Sequence, residues 1–175
     1  MAQSSFDILN VRKELPIFTV ELPTDGVLKD LIVNYRENNP EGTKSNVKAW
    51  RSDWYTHKKD TRFKYFVDLV SDACEFICHN HFNTKPNVVL TCSNMWIAQY
   101  DVGDYAQNHD HFPDTLSCVY FVEVEDNCAP LIFEDTLEIQ PKNGLLVIFP
   151  SIVRHKVDPT QGPRTVISMN FRQSM

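Results

Sequence analysis

No stretch of this chain is apolar over the length of a membrane span, and no block of Lys and Arg is dense enough to grip nucleic acid or an anionic bilayer nonspecifically. A net charge of −6 and a pI near 5.4 argue in the same direction. The nearest basic run, His57-Lys58-Lys59, reads as a solvated loop. Residues 1–10 carry no charged-then-apolar signal pattern, so a cytoplasmic protein is expected. An even cysteine set is also missing: Cys74, Cys78, Cys92, Cys118 and Cys128 make five, which excludes a full disulfide framework and reads as reduced thiols. Internal repeats and low-complexity tracts are absent too. What is present, 175 residues with 42% hydrophobic and 23% charged, suits one folded domain over 1–175 with its own core.

The first half reads helical and the second half as strands. Thr24 or Asp25 can cap a helix to about residue 38, with Val27, Leu28, Leu31, Ile32 and Tyr35 at helical spacing and Asn39-Pro40-Glu41-Gly42 as its stop. A longer helix is predicted from an Asp60 or Thr61 cap to about Asn80. Between them, residues 45–55 read as an irregular segment whose Trp50 and Trp54 either pin it to the core or form a lid. Cys74, Cys78, His79 and His81 resemble half a zinc site. Yet both cysteines share a helix face with Phe63, Phe66, Val67, Val70 and Ile77, which favours core packing. From residue 87 the apolar period becomes two. Strands are predicted at 88–91, 96–100, 116–124, 131–134, 145–149, 153–157 and 164–171, separated by Gly, Pro, Asn and Asp clusters. A helical region over about 1–86 before a β core over about 87–172 implies a sandwich or barrel with helices packed outside it.

Three histidines stand out against this frame. Residues two apart on a strand share a face, so His109 and His111 can address one metal ion while Asp110 points away, and His155 arrives from another strand. Neutral imidazoles bind first-row transition metals, and three of them leave coordination positions open. Arg164 opens the final strand. If that strand pairs with the one carrying His155, the turn at 158–163 brings guanidinium and imidazole to one cavity, where the guanidinium is a carboxylate clamp. Asp110 is the alternative second ligand if the strand is bulged.

Tyr100-Asp101-Val102-Gly103 followed by His109, then Leu146-Val147-Ile148-Phe149-Pro150-Ser151, His155-Lys156-Val157 and Gly162-Pro163-Arg164, resemble the motifs of prolyl-hydroxylase-type Fe(II)/2-oxoglutarate dioxygenases. The likeness is strongest to the 2OG-Fe(II) oxygenases of bacteria and phages, through Leu116-Ser117-Cys118-Val119-Tyr120-Phe121 and Arg164-Thr165-Val166-Ile167-Ser168-Met169-Asn170-Phe171. It covers about residues 94–172. The resemblance implies a double-stranded β-helix, that is, a mainly β jelly-roll or cupin-like core with N-terminal helices outside. It implies Fe(II) on His109, His111 and His155, and 2-oxoglutarate clamped by Arg164 with Tyr100, Ser117 and Asn170 as further polar contacts. It also implies dioxygen as a partner, oxidative decarboxylation to succinate, and hydroxylation of a peptide or small molecule in the cytoplasm, that of the host cell for a phage-encoded chain. Two features depart from the pattern. His111 stands where the wider family has a carboxylate, and Ala106 replaces its second tyrosine, so prolyl specificity does not carry over.

Two rivals use the same residues. A three-His cupin-type dioxygenase would bind its organic substrate directly without 2-oxoglutarate. A non-catalytic metal- or sugar-binding jelly roll would have little use for an open metal face beside a carboxylate clamp.

Overall fold

A computed structural model describes residues 14–23, 26–84 and 88–174. The chain begins with strand β1 (Phe18–Glu21) and helix α1 (Gly26–Asn38), then two very short strands, β2 (Val47–Lys48) and β3 (Trp50–Arg51). Helix α2 (Thr56–Lys59) leads through a 3-10 turn (Thr61–Phe63) into helix α3 (Lys64–His81). Eight strands follow: β4 (Val89–Tyr100), β5 (Tyr105–His109), β6 (Leu116–Val124), β7 (Leu131–Phe133), β8 (Leu137–Ile139), β9 (Leu145–Pro150), β10 (His155–Val157) and β11 (Arg164–Ser174). They build a six-stranded sheet in the order β1-β9-β6-β11-β4-β3 and a five-stranded sheet in the order β2-β5-β10-β7-β8. From β4 onward the chain crosses back and forth between two antiparallel sheets, which is the double-stranded β-helix, or jelly roll.

Strand alternation explains why two apolar layers form. Ala98, Tyr100, Val119, Phe121, Val147, Phe149 and Val166 face the space between the sheets. Their neighbours Ile97, Cys118, Tyr120, Leu146, Ile148, Ile167 and Met169 face outward and are covered by helices. Helix α1 covers them with Leu28, Leu31, Ile32 and Tyr35. Helix α3 lays Phe66 on Tyr120, ring centroids 4.8 Å apart, and Cys74 Sγ 3.5 Å from Cys118 Sγ. All five thiols are buried and free. Burial pushes those of Cys78 and Cys92 up to about 11 and about 12, which leaves them protonated and unreactive. Among the described residues no helix is long and apolar enough to cross a membrane.

Several elements differ from the sequence reading. The helical first half also supplies β1, β2 and β3 to the sheets. The two strands expected at 88–91 and 96–100 are one, β4. Its pairing with β11 skips Ser93 between Asn170↔Asn94 and Phe171↔Cys92, and this bulge interrupts the period of two. The 45–55 segment is partly regular, with Trp50 in β3 donating its indole N–H to the Asn39 carbonyl at 3.1 Å. Asp60 caps the 3-10 turn, its carboxylate accepting from Arg62 N, so α3 itself starts later than expected. Thr24 and Asp25, the expected cap of α1, lie outside the described residues.

Candidate metal centre

The sheets bring His109, His111 and His155 together, as the only group of three potential metal ligands found among the described residues. Their ligand atoms lie within 4.8 Å of one another. Two nitrogens held at about 2.1 Å from one ion can be at most roughly 4.2 Å apart, so small ring rotations close the triad onto an ion. His109 and His155 face each other directly in the register of β5 and β10. Each ring has its Nδ1 against a backbone carbonyl, at 2.6 Å to Gln107 O and 3.1 Å to Val153 O. A carbonyl only accepts, so Nδ1 carries the proton and Nε2 keeps its lone pair for a metal. The rings of Phe149 and Phe133, with centroids 4.7 and 5.9 Å from that of His155, hold it in place.

His111 reaches the same place by a different route from the one its spacing suggested. Strand β5 ends at His109, so His111 is not a strand residue. A loop carries it back: its N–H donates to Ser151 O at 2.8 Å, and its carbonyl accepts from Asp114 N at 3.0 Å. Asp110, the alternative ligand, is committed elsewhere. Its carboxylate accepts from Phe112 N at 3.1 Å and lies 3.9 Å from the Arg154 guanidinium.

Arg164 does not reach the triad through pairing of its strand with that of His155, which was the expected route. β10 belongs to the smaller sheet, between β5 and β7, and β11 to the larger, between β6 and β4. The two side chains meet instead across the inter-sheet space. There they line one narrow cavity with His109, His111, Tyr100, Trp96 and Ser168. Arg164 is 4% exposed, stacks its guanidinium 4.5 Å over the Tyr100 ring, and donates from Nη1 to Ala129 O at 2.8 Å. Its Nε has no hydrogen-bond partner. Ser117 and Asn170 do not line the cavity. They face inward further along the sheet, where Ser117 Oγ donates to Asn170 Oδ1 at 2.9 Å and lies 2.8 Å from Ser151 Oγ. That buried network anchors the segment whose backbone holds His111.

One buried residue behind the site escaped the sequence; it does not line the metal cavity but two surface clefts beside Glu41, Gly42 and Thr43. Arg51 of β3 is 1% exposed, with its guanidinium 3.6 Å from the centroid of Trp54 and 4.9 Å from that of Trp96. Two indoles flanking an arginine in 50–54 were the available signal, but a two-residue strand has no period to show that Arg51 points inward.

Burial sets the electrostatics. It pushes His111 and His155 down to about 3, each helped by the neighbouring imidazoles, and lowers His109 as well. It also lowers Arg51 to about 10 and raises Tyr100, the latter opposed by the Arg164 charge. The imidazoles are therefore neutral at pH 7, as metal binding requires. A stability prediction follows. A histidine whose folded pKa lies below its unfolded value of about 6.5 leaves the fold unpenalised above that pH, and costs stability as pH drops from there towards about 3. At pH 5.5 the cost is about 1.4 kcal/mol for each such group, or about 3 kcal/mol for His111 and His155 together. Denaturant titration of the metal-free protein at pH 7.5 and 5.5 should show a loss of this order, and the His111→Asn, His155→Asn double variant should lose much less.

No protein-family model matches the sequence, and no curated protein matches it. Solved structures do match. A Pseudomonas putida prolyl-4-hydroxylase shares 18% identity over 91% of this chain and 93% of its own, with a TM-score of 0.67. A viral collagen prolyl hydroxylase from Paramecium Bursaria Chlorella virus-1, solved with 2OG, shares 12% identity over 91% and 96%, with a TM-score of 0.64. A Trichoplax adhaerens prolyl hydroxylase in complex with a hypoxia inducible factor peptide fragment shares 16% identity over 89% and 83%, with a TM-score of 0.64. At these identities the likeness establishes a common fold.

Proposed function

We propose that the chain is an Fe(II)- and 2-oxoglutarate-dependent oxygenase. The observation that carries this reading is the cavity in which three neutral imidazoles share space with the Arg164 guanidinium. The imidazole set fits a first-row metal. The buried, incompletely satisfied guanidinium fits the far carboxylate of a dicarboxylic acid. When bound, iron with 2-oxoglutarate and dioxygen would supply oxidative decarboxylation to succinate coupled to hydroxylation of a C–H bond.

The chain's own residues then have defined tasks. His109, His111 and His155 hold the metal, with the first and third fixed as Nε2 donors by their backbone hydrogen bonds. Arg164 forks onto the cosubstrate carboxylate, and Tyr100, protonated by burial, offers a hydroxyl beside it. The cavity measures about 40 Å³. A dicarboxylate entering it must displace side chains, and Arg164, folded onto Tyr100, is the one with most to gain from moving. Apolar Val119, Leu131, Val157 and Val166 close the remaining walls and exclude water. Ser117 and Asn170 are positioning residues for the His111 segment in this reading. The matching structures support it: one was solved with 2OG, and another with a peptide. Here the substrate is a peptide or a small molecule.

Anaerobic addition of Fe(II) and 2-oxoglutarate tests the proposal. A visible charge-transfer band that needs both additions is expected. A band, or metal-dependent turnover, that ignores 2-oxoglutarate would favour a three-His dioxygenase that binds its substrate directly. Metal binding without either response would favour a binding module.

A further inference from the structure

We propose that Arg51 is a second anion anchor, across Trp96 from His111, that takes a carboxylate of the primary substrate. The inference rests on the oxygenase reading and deepens it, by naming an acidic small molecule or acidic residue as the substrate class.

The position of Arg51 argues for it. β3 pairs Arg51 with Ala98, an inward-facing residue of β4, so Arg51 starts on the wall of the inter-sheet space. Its guanidinium lies against Trp96, whose ring lines the metal cavity 5.6 Å from that of His111. Arg164 enters from β11, on the other side of β4, so the two guanidiniums approach the triad from opposite flanks.

A structural arginine at this depth would be expected to have its donors satisfied. Arg51 does not. Nη1 donates to Ser52 O, its own neighbour, at a long 3.3 Å, and Nη2 has no partner. Asp53, whose charge acts on Arg51, makes no ion pair with it; its carboxylate accepts from Tyr55 N at 2.8 Å and pairs with Lys59 at 3.1 Å. No Asp or Glu lines the cavity, and none of the ion pairs among the described residues involves Arg51 or Arg164. Arg51 does not itself line the cavity but sits behind Trp96, so a divalent metal on three neutral ligands, two guanidiniums and one dicarboxylate leave this region cationic. A second carboxylate, on Arg51, reduces that excess and gives Nη2 its acceptor. Trp54, 37% exposed and stacked on the same guanidinium, forms the outer wall through which that group would be reached.

Acetate is the probe. Metal-free Arg164→Leu protein, in which the other clamp is removed, is titrated with sodium acetate at constant ionic strength while tryptophan fluorescence is read. A saturable change is expected, because Trp54 and Trp96 both contact the guanidinium. Arg51→Met in that background should weaken the response at least tenfold, and Arg51→Lys should restore part of it. The unfolding midpoint of Arg51→Met should be no lower than its parent's, since the residue it replaces is an unpaired buried charge. No saturable response with Arg51 intact, an undiminished response in Arg51→Met, a marked fall in its midpoint, or a response to inorganic phosphate but not acetate would each overturn the proposal. The wild-type Fe(II)/2-oxoglutarate band is read separately. Its presence with a failed acetate test removes only the role of Arg51, and its absence removes the reading beneath it.

Discussion

Replacing His155 by alanine should abolish 2-oxoglutarate-dependent succinate formation and weaken Fe(II) binding by about 100-fold or more. Removal of a residue that merely orients a metal ligand commonly costs 10- to 100-fold in affinity, so loss of one of three ligands should cost at least the upper end. His155 is also the most deeply set of the three, 4% exposed and wedged between Phe149 and Phe133, with its ring fixed by Val153 O. Water can fill the vacated coordination position but cannot recover the donor strength of an oriented imidazole. Competition against a chromogenic chelator measures the affinity, and the same assay decides the second ligand. His111→Ala should match His155→Ala, while Asp110→Ala, whose carboxylate is bound to Phe112 N, should change affinity by only a few-fold. The reverse ranking would assign the second position to the carboxylate.

The layers of this fold were legible because burial on two faces imposes a period of two. In β11, Arg164, Val166, Ser168 and Asn170 point between the sheets while Ile167 and Met169 point to the helices, and a one-dimensional pattern reports that directly. What the pattern could not report was whatever depends on distant pairing. β1 is a strand because Phe18 to Glu21 find Ile148 to Leu145, far along the chain, and the four residues alone carry no such signal. The bulge at Ser93 broke the alternation of a continuous strand into two apparent ones. At the site, the histidines and Arg164 were legible as candidates and do converge, though by a different geometry from the one expected. His111 is delivered by a loop tied to Ser151, and Arg164 faces His155 from the opposite sheet. Ser117 and Asn170 had the right face but the wrong depth, because they are cross-strand partners that satisfy each other. Arg51 was missed because a strand of two residues shows no alternation from which its inward direction could be read.

Arg164→Leu should leave the metal-free fold as stable as the wild type or more so, and raise the 2-oxoglutarate concentration needed for the Fe(II) chromophore by a factor on the order of 10² to 10³. Both halves follow from one fact. The guanidinium is buried with its Nε unpartnered and forms no ion pair among the described residues, so the free protein carries a desolvation cost that an incoming anion relieves. Burial accordingly lowers the Arg164 pKa, opposed first by Tyr100 and then by Cys128. Leucine removes the cost and the reward together. A buried, charge-assisted pair between guanidinium and carboxylate is worth about 3–4 kcal/mol when one partner is deleted, which sets the expected loss of affinity. Arg164→Lys separates charge from shape: it keeps a cation but not the planar fork, and should fall between the two. If Arg164→Leu unfolds the metal-free protein while affinity for 2-oxoglutarate per folded molecule is unchanged, then Ala129 O and the Tyr100 ring are what the residue is there to hold, and the clamp lies elsewhere.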